Sequence, residues 1–396
     1  MKQLIVCFKP RTKRSRCLKI HKEIKGKLLK EIKEIGIHVV TVSPSEWSTC
    51  LSKYASSPDV MFVEEDHIIH VDPIPNTEDS SLLLINVETV TNDPLYERQW
   101  GLANVNAQGA WELARVSPMS ARIAILDTGV NRMHPDLRGK VIHDANFSDS
   151  STADDGNGHG THVAGIAAAV TNNRNGIAGM SYNSAGIMNI KVMEDSGSGS
   201  TSNIAQGIIY AANQGAHVIN LSIGSPIGNE TLRNAVNYAY QHGALVVGAA
   251  GNNSTTNENY PAAYQQVIAV AALDRSNQLA SFSNHGTWVD VAAPGEEILS
   301  TYPETKSETG YRVASGTSQA TPFISGLAGL IKATNPTLTN RQIRSIILRA
   351  TDRSLSGVRY GRIDARRAVQ LAQNSTGSEL QQASNIPSVW LNPFVN

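Results

Sequence analysis

The chain has 396 residues, 41% hydrophobic and 17% charged, and its 34 basic and 34 acidic side chains cancel to a formal net charge of +0. This is the composition of a globular protein with room for roughly two folding units and a large core. Balanced charge offers no whole-chain attraction to nucleic acid and none of the acidic excess of a solvating, disordered chain. No apolar run is long enough to span a bilayer. Neither nucleic acid nor membrane is therefore expected as a partner.

The first element is a short strand, "QLIVCF". It is too short to be the apolar core of a secretory signal, and no small-residue cleavage site follows it. In "HKEIKGKLLKEIKEIG", Ile24, Leu28, Ile32 and Ile35 recur at helical spacing, so the periodicity predicts one helix stopped by Gly36. The basic residues interleaved there read as its solvated face. "IHVVTV" predicts a strand. "PSEWSTCLSKYA" predicts a helix with Trp47, Leu51 and Tyr54 on one side, and "VMFVEED" and "HIIHV" predict further strands. Helices alternating with strand pairs over residues 1–72 suggest a ferredoxin-like α+β unit. Cys7, Cys17 and Cys50 all lie in it, at no zinc spacing, and the chain carries no thiol after them. The remainder cannot depend on disulfides, which suits an oxidising exterior without requiring one.

Residues 73–91, "PIPNTEDSSLLLINVETVT", read as a linker. From 92 to 372 the pattern changes. "RIAIL", "HVINLSI", "ALVVGAA" and "VIAVAAL" lack polar alternation, as strands covered on both faces do. Between them lie amphipathic helices. "NETLRNAVNYAYQHG" presents Leu232, Ala235, Val236 and Ala239 and ends near Gly243, and "NRQIRSIILRATD" presents Ile343, Ile346, Ile347 and Ala350. The alternation predicts an α/β fold, a parallel sheet flanked by helices, with reactive groups at the carboxyl ends of the strands. Residues 373–396 form a polar tail.

Three turns in that unit carry chemistry-bearing side chains. Asp127 ends the strand "ARIAILD" ahead of Gly129, His159 and His162 stand in "GNGHGTHVAG", and Ser318 stands in "SGTSQATP" with Pro322 close behind. Taken singly, Asp127 reads as an Asx turn and Ser318 as a helix cap. Together they supply what a serine nucleophile needs: an imidazole to take its proton and a buried carboxylate to hold that imidazole in one tautomer. Two histidines at i and i+3 without thiol or histidine partners make a poor metal site. "GNGHGT" follows an acidic loop rather than a strand, which argues against a dinucleotide loop.

The order Asp127, His159, Ser318 is that of subtilisin, and the motifs "DTGV", "HGTHVAG" and "SGTSQATP" resemble those of the subtilases, the subtilisin-like serine proteases. "NGHGTHVAGIAAAVTNN", "AAGNN", "YPAAYQQVIAVAALD" and "SFSNHGTWVDVAAPG" extend the likeness over nearly all of 92–372, with most similarity to the calcium-dependent thermitase branch. The resemblance implies a serine endopeptidase of broad specificity that cuts after large apolar residues. Ser318 would be nucleophile, His159 base and Asp127 its orienting acid, with His162 structural. Asn252 of "AAGNN", otherwise a turn asparagine, would donate to the oxyanion.

The resemblance also implies where ligands go. An extended peptide would add as a strand beside Gly197, Ser198 and Gly199 and beside Ser222, Ile223 and Gly224, with Ala250 and Gly251 helping to wall the primary pocket. Ile204 and Ile223 would wall a more distant subsite, and Thr201 stands where some members carry a tyrosine flap. Calcium is the implied cofactor: Asp93, Asp136, Asn173 and Asn175 by side chains, Val170 and Ile177 by carbonyl oxygens, an all-oxygen set suited to a hard cation. Asp136 alone would read as a turn acid after proline. Asp149 matches part of a second site, whose loop is shorter and carries Asn146 in place of an acid. The chain departs from the family at Gln319, where methionine is usual, at Phe323 for a common histidine, and at Ser225 for a common glycine.

Residues 1–72, with "VMFVEEDHIIHV", resemble a subtilase propeptide, which implies an intramolecular chaperone and inhibitor released by cleavage within 73–91. The sequence is thus read as the zymogen of a secreted, monomeric, calcium-stabilised endopeptidase acting on protein substrates. A protease-dead binding protein on the same fold and a cytoplasmic housekeeping protease are the rivals.

Overall fold

A computed structural model describes residues 2–71, 91–114, 118–307 and 309–375. Except for Thr91, the expected linker and processing region lies outside the described residues, as does the tail from 376 onward.

The N-terminal unit runs β1 (Lys2–Phe8), α1 (Arg14–Ile24), β2 (Lys27–Ile32), β3 (Ile37–Val42), α2 (Trp47–Ala55), β4 (Val60–Glu65) and β5 (Ile68–His70). β1 to β4 form an antiparallel sheet in the order β2-β3-β1-β4. This is the ferredoxin-like arrangement, reached by a different set of strands from the one the periodicity predicts. The helix expected to run on to Gly36 ends at Ile24. Lys25 is left-handed (φ 65°), and its N–H closes the helix on the carbonyls of His21 and Lys22. Gly26 then lies against the Tyr54 ring with no room for a Cβ. Beyond it the chain pairs with β3, Leu28 opposite Val40 and Ile32 opposite Ile37. Ladder hydrogen bonds to a neighbouring strand outweigh helix-compatible spacing there.

Alternation along β1 explains how this small unit is covered on both faces. Leu4, Val6 and Phe8 pack with Cys17, Ile20, Val40 and Tyr54 under the unit's own helices. Ile5 and Cys7, with Ile37 and Val39, join a cluster that also holds Ile204, Ile208, Leu232 and Val236 of the larger unit. The two units share one apolar interface.

The larger unit begins with α3 (Trp100–Asn104), α4 (Ala107–Ala114), β6 (Ala121–Asp127), β7 (Val141–Asn146), α5 (His159–Ala168), β8 (Ala185–Lys191), β9 (Ser198–Ser200), α6 (Thr201–Asn213) and β10 (Val218–Leu221). It continues through α7 (Glu230–Gln241), β11 (Leu245–Ala249), β12 (Val267–Leu273), β13 (Val291–Pro294), β14 (Ile298–Thr301), β15 (Tyr311–Ala314), α8 (Thr317–Thr334), α9 (Asn340–Arg349), β16 (Thr351–Asp352), β17 (Gly361–Ile363) and α10 (Ala365–Asn374). Among the described residues its main sheet has nine strands in the order β16-β17-β13-β12-β11-β10-β6-β8-β7. Every pairing is parallel except that of β16 with β17. All residues of β8, β10, β11, β12 and β13 are buried, as unalternating apolar runs require when helices cover both faces. α7 is capped by Asn229, whose side chain accepts from Leu232 N, and α9 by a Thr339/Gln342 capping box.

Candidate active site

Asp127 closes β6 at its carboxyl end, fully buried, and its Oδ1 lies 2.7 Å from His159 Nδ1. The same oxygen accepts from Thr128 N at 2.8 Å. His159 is the first residue of α5, and Gly160 behind it is there for space: a Cβ would strike the Gly129 carbonyl and the Asp127 side chain. The glycines of this motif let the start of α5 press onto the end of β6, which brings imidazole and carboxylate within hydrogen-bond reach.

Three groups that sequence reasoning missed lock this junction. Asp155, buried in the loop before α5, accepts from Asn157 N (3.0 Å), Gly158 N (2.7 Å), Thr161 N (2.8 Å) and Thr161 Oγ1 (2.6 Å). It also accepts from Thr128 Oγ1 at 2.9 Å, which ties the helix N-terminus to the residue after Asp127. Thr128 Oγ1 in turn accepts from Gly160 N at 3.0 Å. A carboxylate at a helix N-terminus is favoured by the orphan N–H groups and the helix dipole. From below, the buried Lys191 amine donates to Thr128 O (2.5 Å), Asp154 O (2.9 Å) and Asp195 Oδ1 (2.6 Å). The signals were weak: an acid shortly before a helix, and one lysine ending an apolar run.

His162, one turn into α5, is fully buried. Its Nε2 bonds to Arg312 O at 3.0 Å, and burial pushes its pKa down to about 3. Its burial and its bond to a main-chain carbonyl fit a structural role.

Ser318 is the second residue of α8. Its Oγ donates to Ser222 O at 3.0 Å, and Ser222 Oγ donates to Ser318 O at 2.8 Å. Pro322 explains the second bond. It lies in the second turn of α8 and has no N–H to give to the carbonyl four residues back. That carbonyl belongs to Ser318, and the Ser222 hydroxyl takes it. Asn252 is anchored through its Oδ1, which accepts from Thr317 N (2.8 Å) and Thr317 Oγ1 (3.0 Å). The amide nitrogen is thereby turned toward Gly316: a Cβ built there would lie 3.3 Å from Asn252 Nδ2 and 3.7 Å from Ser318 N. Two donors thus lie near one point beside Gly316. Gln319 Oε1 reaches the same spot, 2.7 Å from that Cβ position.

The groove beside the serine is filled by the chain itself. β5 pairs antiparallel with β9, Ile68 opposite Ser200, Ile69 opposite Gly199 and His70 opposite Ser198. His70 also bridges Gly224, and Val71 N donates to Gly197 O at 2.9 Å. Residues 68–71 therefore lie as a strand between 197–200 and 222–224, with Ile69 in one apolar cluster with Ile204 and Ile223. Thr201 N donates to His67 O at 2.9 Å. Two acids just before this strand cap helices of the larger unit: Glu64 accepts from Glu230 N and Thr231 N at α7, and Asp66 from Ser202 N and Ser202 Oγ at α6.

Away from the groove, Asp93 and Asp136 come together under the loop 170–177. Asp93 accepts from Asn172 N and Asn173 N, and Asp136 from Ile177 N, Asn173 Nδ2 and Tyr311 OH. Val170 N donates to the Asp136 carbonyl at 2.7 Å. Burial, and then the neighbouring Asp136, holds the Asp93 carboxyl above its usual range. Asn173 Oδ1 accepts from Asn175 N, so Asn173 directs its amide nitrogen, not its oxygen, at Asp136. Among the described residues no three His, Cys, Asp or Glu gather as a metal cluster. The pair instead offers a buried, like-charged, all-oxygen donor set, which fits a hard divalent cation and no soft metal. Asp149 is exposed, and Asn146 is used up in turns with Ser148 and Ser150.

A family model described as the subtilase family matches residues 120–378, and one described as the fervidolysin N-terminal prodomain matches residues 2–66. The chain belongs to the subtilase family. It is a subtilisin-like serine protease with an N-terminal prodomain. It is 49% identical to thermitase of Thermoactinomyces vulgaris over 70% of this chain and 99% of that protein. It is 47% identical to a thermophilic serine proteinase of Bacillus sp. strain AK1 over 72% and 71% of the two chains. Among solved structures it resembles fervidolysin from Fervidobacterium pennivorans, described as a keratinolytic enzyme related to subtilisin. The TM-score is 0.82 at 28% identity, over 93% of this chain and 61% of that one.

Proposed function

We propose that this subtilase is made as a self-processing zymogen and acts as a calcium-stabilised endopeptidase outside the cell, with broad specificity. Ser318 attacks the peptide carbonyl after exchanging its bond to Ser222 O for the His159 imidazole. His159 takes the proton and returns it to the leaving amine, and Asp127 holds its Nδ1–H. Asn252 Nδ2 and Ser318 N receive the oxyanion. The supporting geometry is the 2.7 Å Asp127–His159 pair, together with Asn252 Nδ2 and Ser318 N, which lie near one point beside Gly316.

The observation that carries the zymogen reading is the strand 68–71 in the groove. A substrate would add in the same way, through main-chain bonds to 197–199 and 222–224, which constrain side chains little and favour broad specificity. The prodomain then inhibits by holding that place until the connection to it is cut between 72 and 92. Asp93 and Asp136, with the oxygens of 170–177, would hold a calcium ion that cancels their mutual repulsion and pins the N-terminal segment of the protease to that loop. The thiol-free composition of the protease unit suits an extracellular setting.

The test is a time course of intact mass for the purified full chain with calcium, beside Ser318→Ala. Loss of the N-terminal unit by the wild type alone supports self-processing. If both chains stay whole, the zymogen reading fails, and if both are cut alike the scission belongs to another protease.

A further inference from the structure

β12, β13 and β17 are neighbours in the sheet, and the segments that lead into their amino ends surround a cavity of ≈ 470 Å³ under α9. Asp127 stands at the opposite, carboxyl edge of the same sheet. Four guanidinium groups line the cavity, those of Arg341, Arg344, Arg349 and Arg359, against one carboxylate, Asp290. In a chain of zero formal net charge this is a local excess of positive charge, and a concave, low-dielectric wall focuses its field.

The four differ in how they are held. Arg344 Nη2 donates to Asp290 Oδ2 at 2.9 Å and to Val267 O at 3.3 Å, while its buried Nε has no partner among the described residues. Arg359 lies over the Tyr360 ring at 5.2 Å, and Arg341 over the Tyr240 ring at 5.7 Å. A guanidinium at that distance from a ring is in cation–π range, a contact that does not use its N–H donors. Among the described residues, neither the Arg349 nor the Arg359 guanidinium donates to any acceptor. Trp288 and Tyr360 supply an aromatic wall.

We propose that this cavity is a second binding site, for a small organic anion whose acid group sits on the Arg349 and Arg359 forks and whose flat apolar body lies against Trp288 and Tyr360. The volume falls in the range of small-molecule pockets and is too large for a bare inorganic anion to fill. Forked donors match the planar or tetrahedral oxygens of carboxylate, phosphate and sulfate. The site has no part in peptide hydrolysis and stands or falls independently of the zymogen reading.

The experiment titrates full-length Ser318→Ala protein with phenyl phosphate, followed by calorimetry and tryptophan fluorescence, with sodium sulfate and phenol as arms. Saturable one-to-one binding of phenyl phosphate is expected, tighter than that of sulfate, with no saturation by phenol. The double variant Arg349→Ala/Arg359→Ala removes two exposed side chains and is expected to keep its melting temperature. It should weaken binding by about a hundredfold or more, the share of two charge-assisted hydrogen bonds. Absence of saturable binding, equal binding of phenol, or unchanged affinity in the double variant would each overturn the proposal.

Discussion

At the scale of single residues, the side chains that touch no substrate decide whether the catalytic ones meet. Asp155 satisfies donors from Thr128 and from the first turn of α5 at once, so it holds the Asp127 turn and the His159 helix in one register. Hydrogen bonds to a charged group are worth about 1.5–3 kcal/mol each. Asp155→Ala is therefore expected to lower kcat on a small chromogenic peptide by roughly tenfold to a hundredfold, with KM little changed. An unchanged kcat would show the junction to be fixed without it. Gln319 makes a second case. Glutamine, not an oxidisable methionine, follows Ser318, so peroxide should inactivate the enzyme slowly, and Gln319→Met should make inactivation rapid. Residual activity after timed peroxide exposure distinguishes the two chains, and rapid loss in the wild type would refute the expectation.

At the scale of elements, two short strands do more than their length suggests. β5 has three residues, yet its pairing with β9 and its bridge to Gly224 place the prodomain across the groove. Ile69 is 2% exposed in the cluster with Ile204 and Ile223. Ile69→Asp buries an unpaired carboxylate there. In the full-length chain it is expected to give earlier release of proteolytic activity, read as a shorter lag in peptide hydrolysis after calcium is added. An unaltered lag would mean that β5 is not what restrains the site. α8 shows a related economy, since the proline that could break it frees the Ser318 carbonyl, and the Ser222 hydroxyl binds that carbonyl.

At the scale of the whole molecule, stability is divided between the units. In the prodomain, His21 Nε2 and His38 Nδ1 are 2.8 Å apart, and His21 Nδ1 is 2.8 Å from Tyr54 OH. Phe8 packs edge-on to both rings, and Glu31, with Arg14 bonded to it, is the acid whose charge acts on both. Burial pushes His21 down to about 4, and burial also lowers His38. The unfolded prodomain, with histidines near 6.5, binds more protons than the folded one below that pH. Stability is thus fully present above about pH 6.5 and drains as pH falls toward about 4, by roughly 3 kcal/mol for His21. In full-length Ser318→Ala, the melting of the N-terminal unit should move down between pH 7 and pH 5, and His21→Leu should flatten that dependence. A pH-independent transition would exclude the device.

The protease unit carries the other lever. Removing calcium with a chelator should lower its melting temperature, by an amount set by mass action and of order 3 kcal/mol at a hundredfold excess of ion over its dissociation constant. In Asp93→Asn/Asp136→Asn the chelator should have no further effect. A chelator-insensitive melt in the parent would remove calcium from the account.

The sequence by itself determined the parallel sheet and the ferredoxin-like class of the first unit, and it named Asp127, His159 and Ser318, with Asn252 through the family resemblance, as the candidate site. Buried strands need unbroken apolar runs, and glycine-flanked turns mark where helices and strands must approach closely. Tertiary structure decided the rest. Residues 27–32 carry a spacing that suits a helix, and only the presence of β3 and of Tyr54 against Gly26 made them a strand. Asp155 and Lys191 went unread because most of their partners are main-chain N–H groups and carbonyls, which leave no mark in a sequence, and Ser222 was expected only to border the bound peptide, its bond to the Ser318 carbonyl joining distant segments. The occupation of the groove by 68–71 belongs to the same class: it is written in the register between two strands 130 residues apart, a distance across which no local pattern reaches.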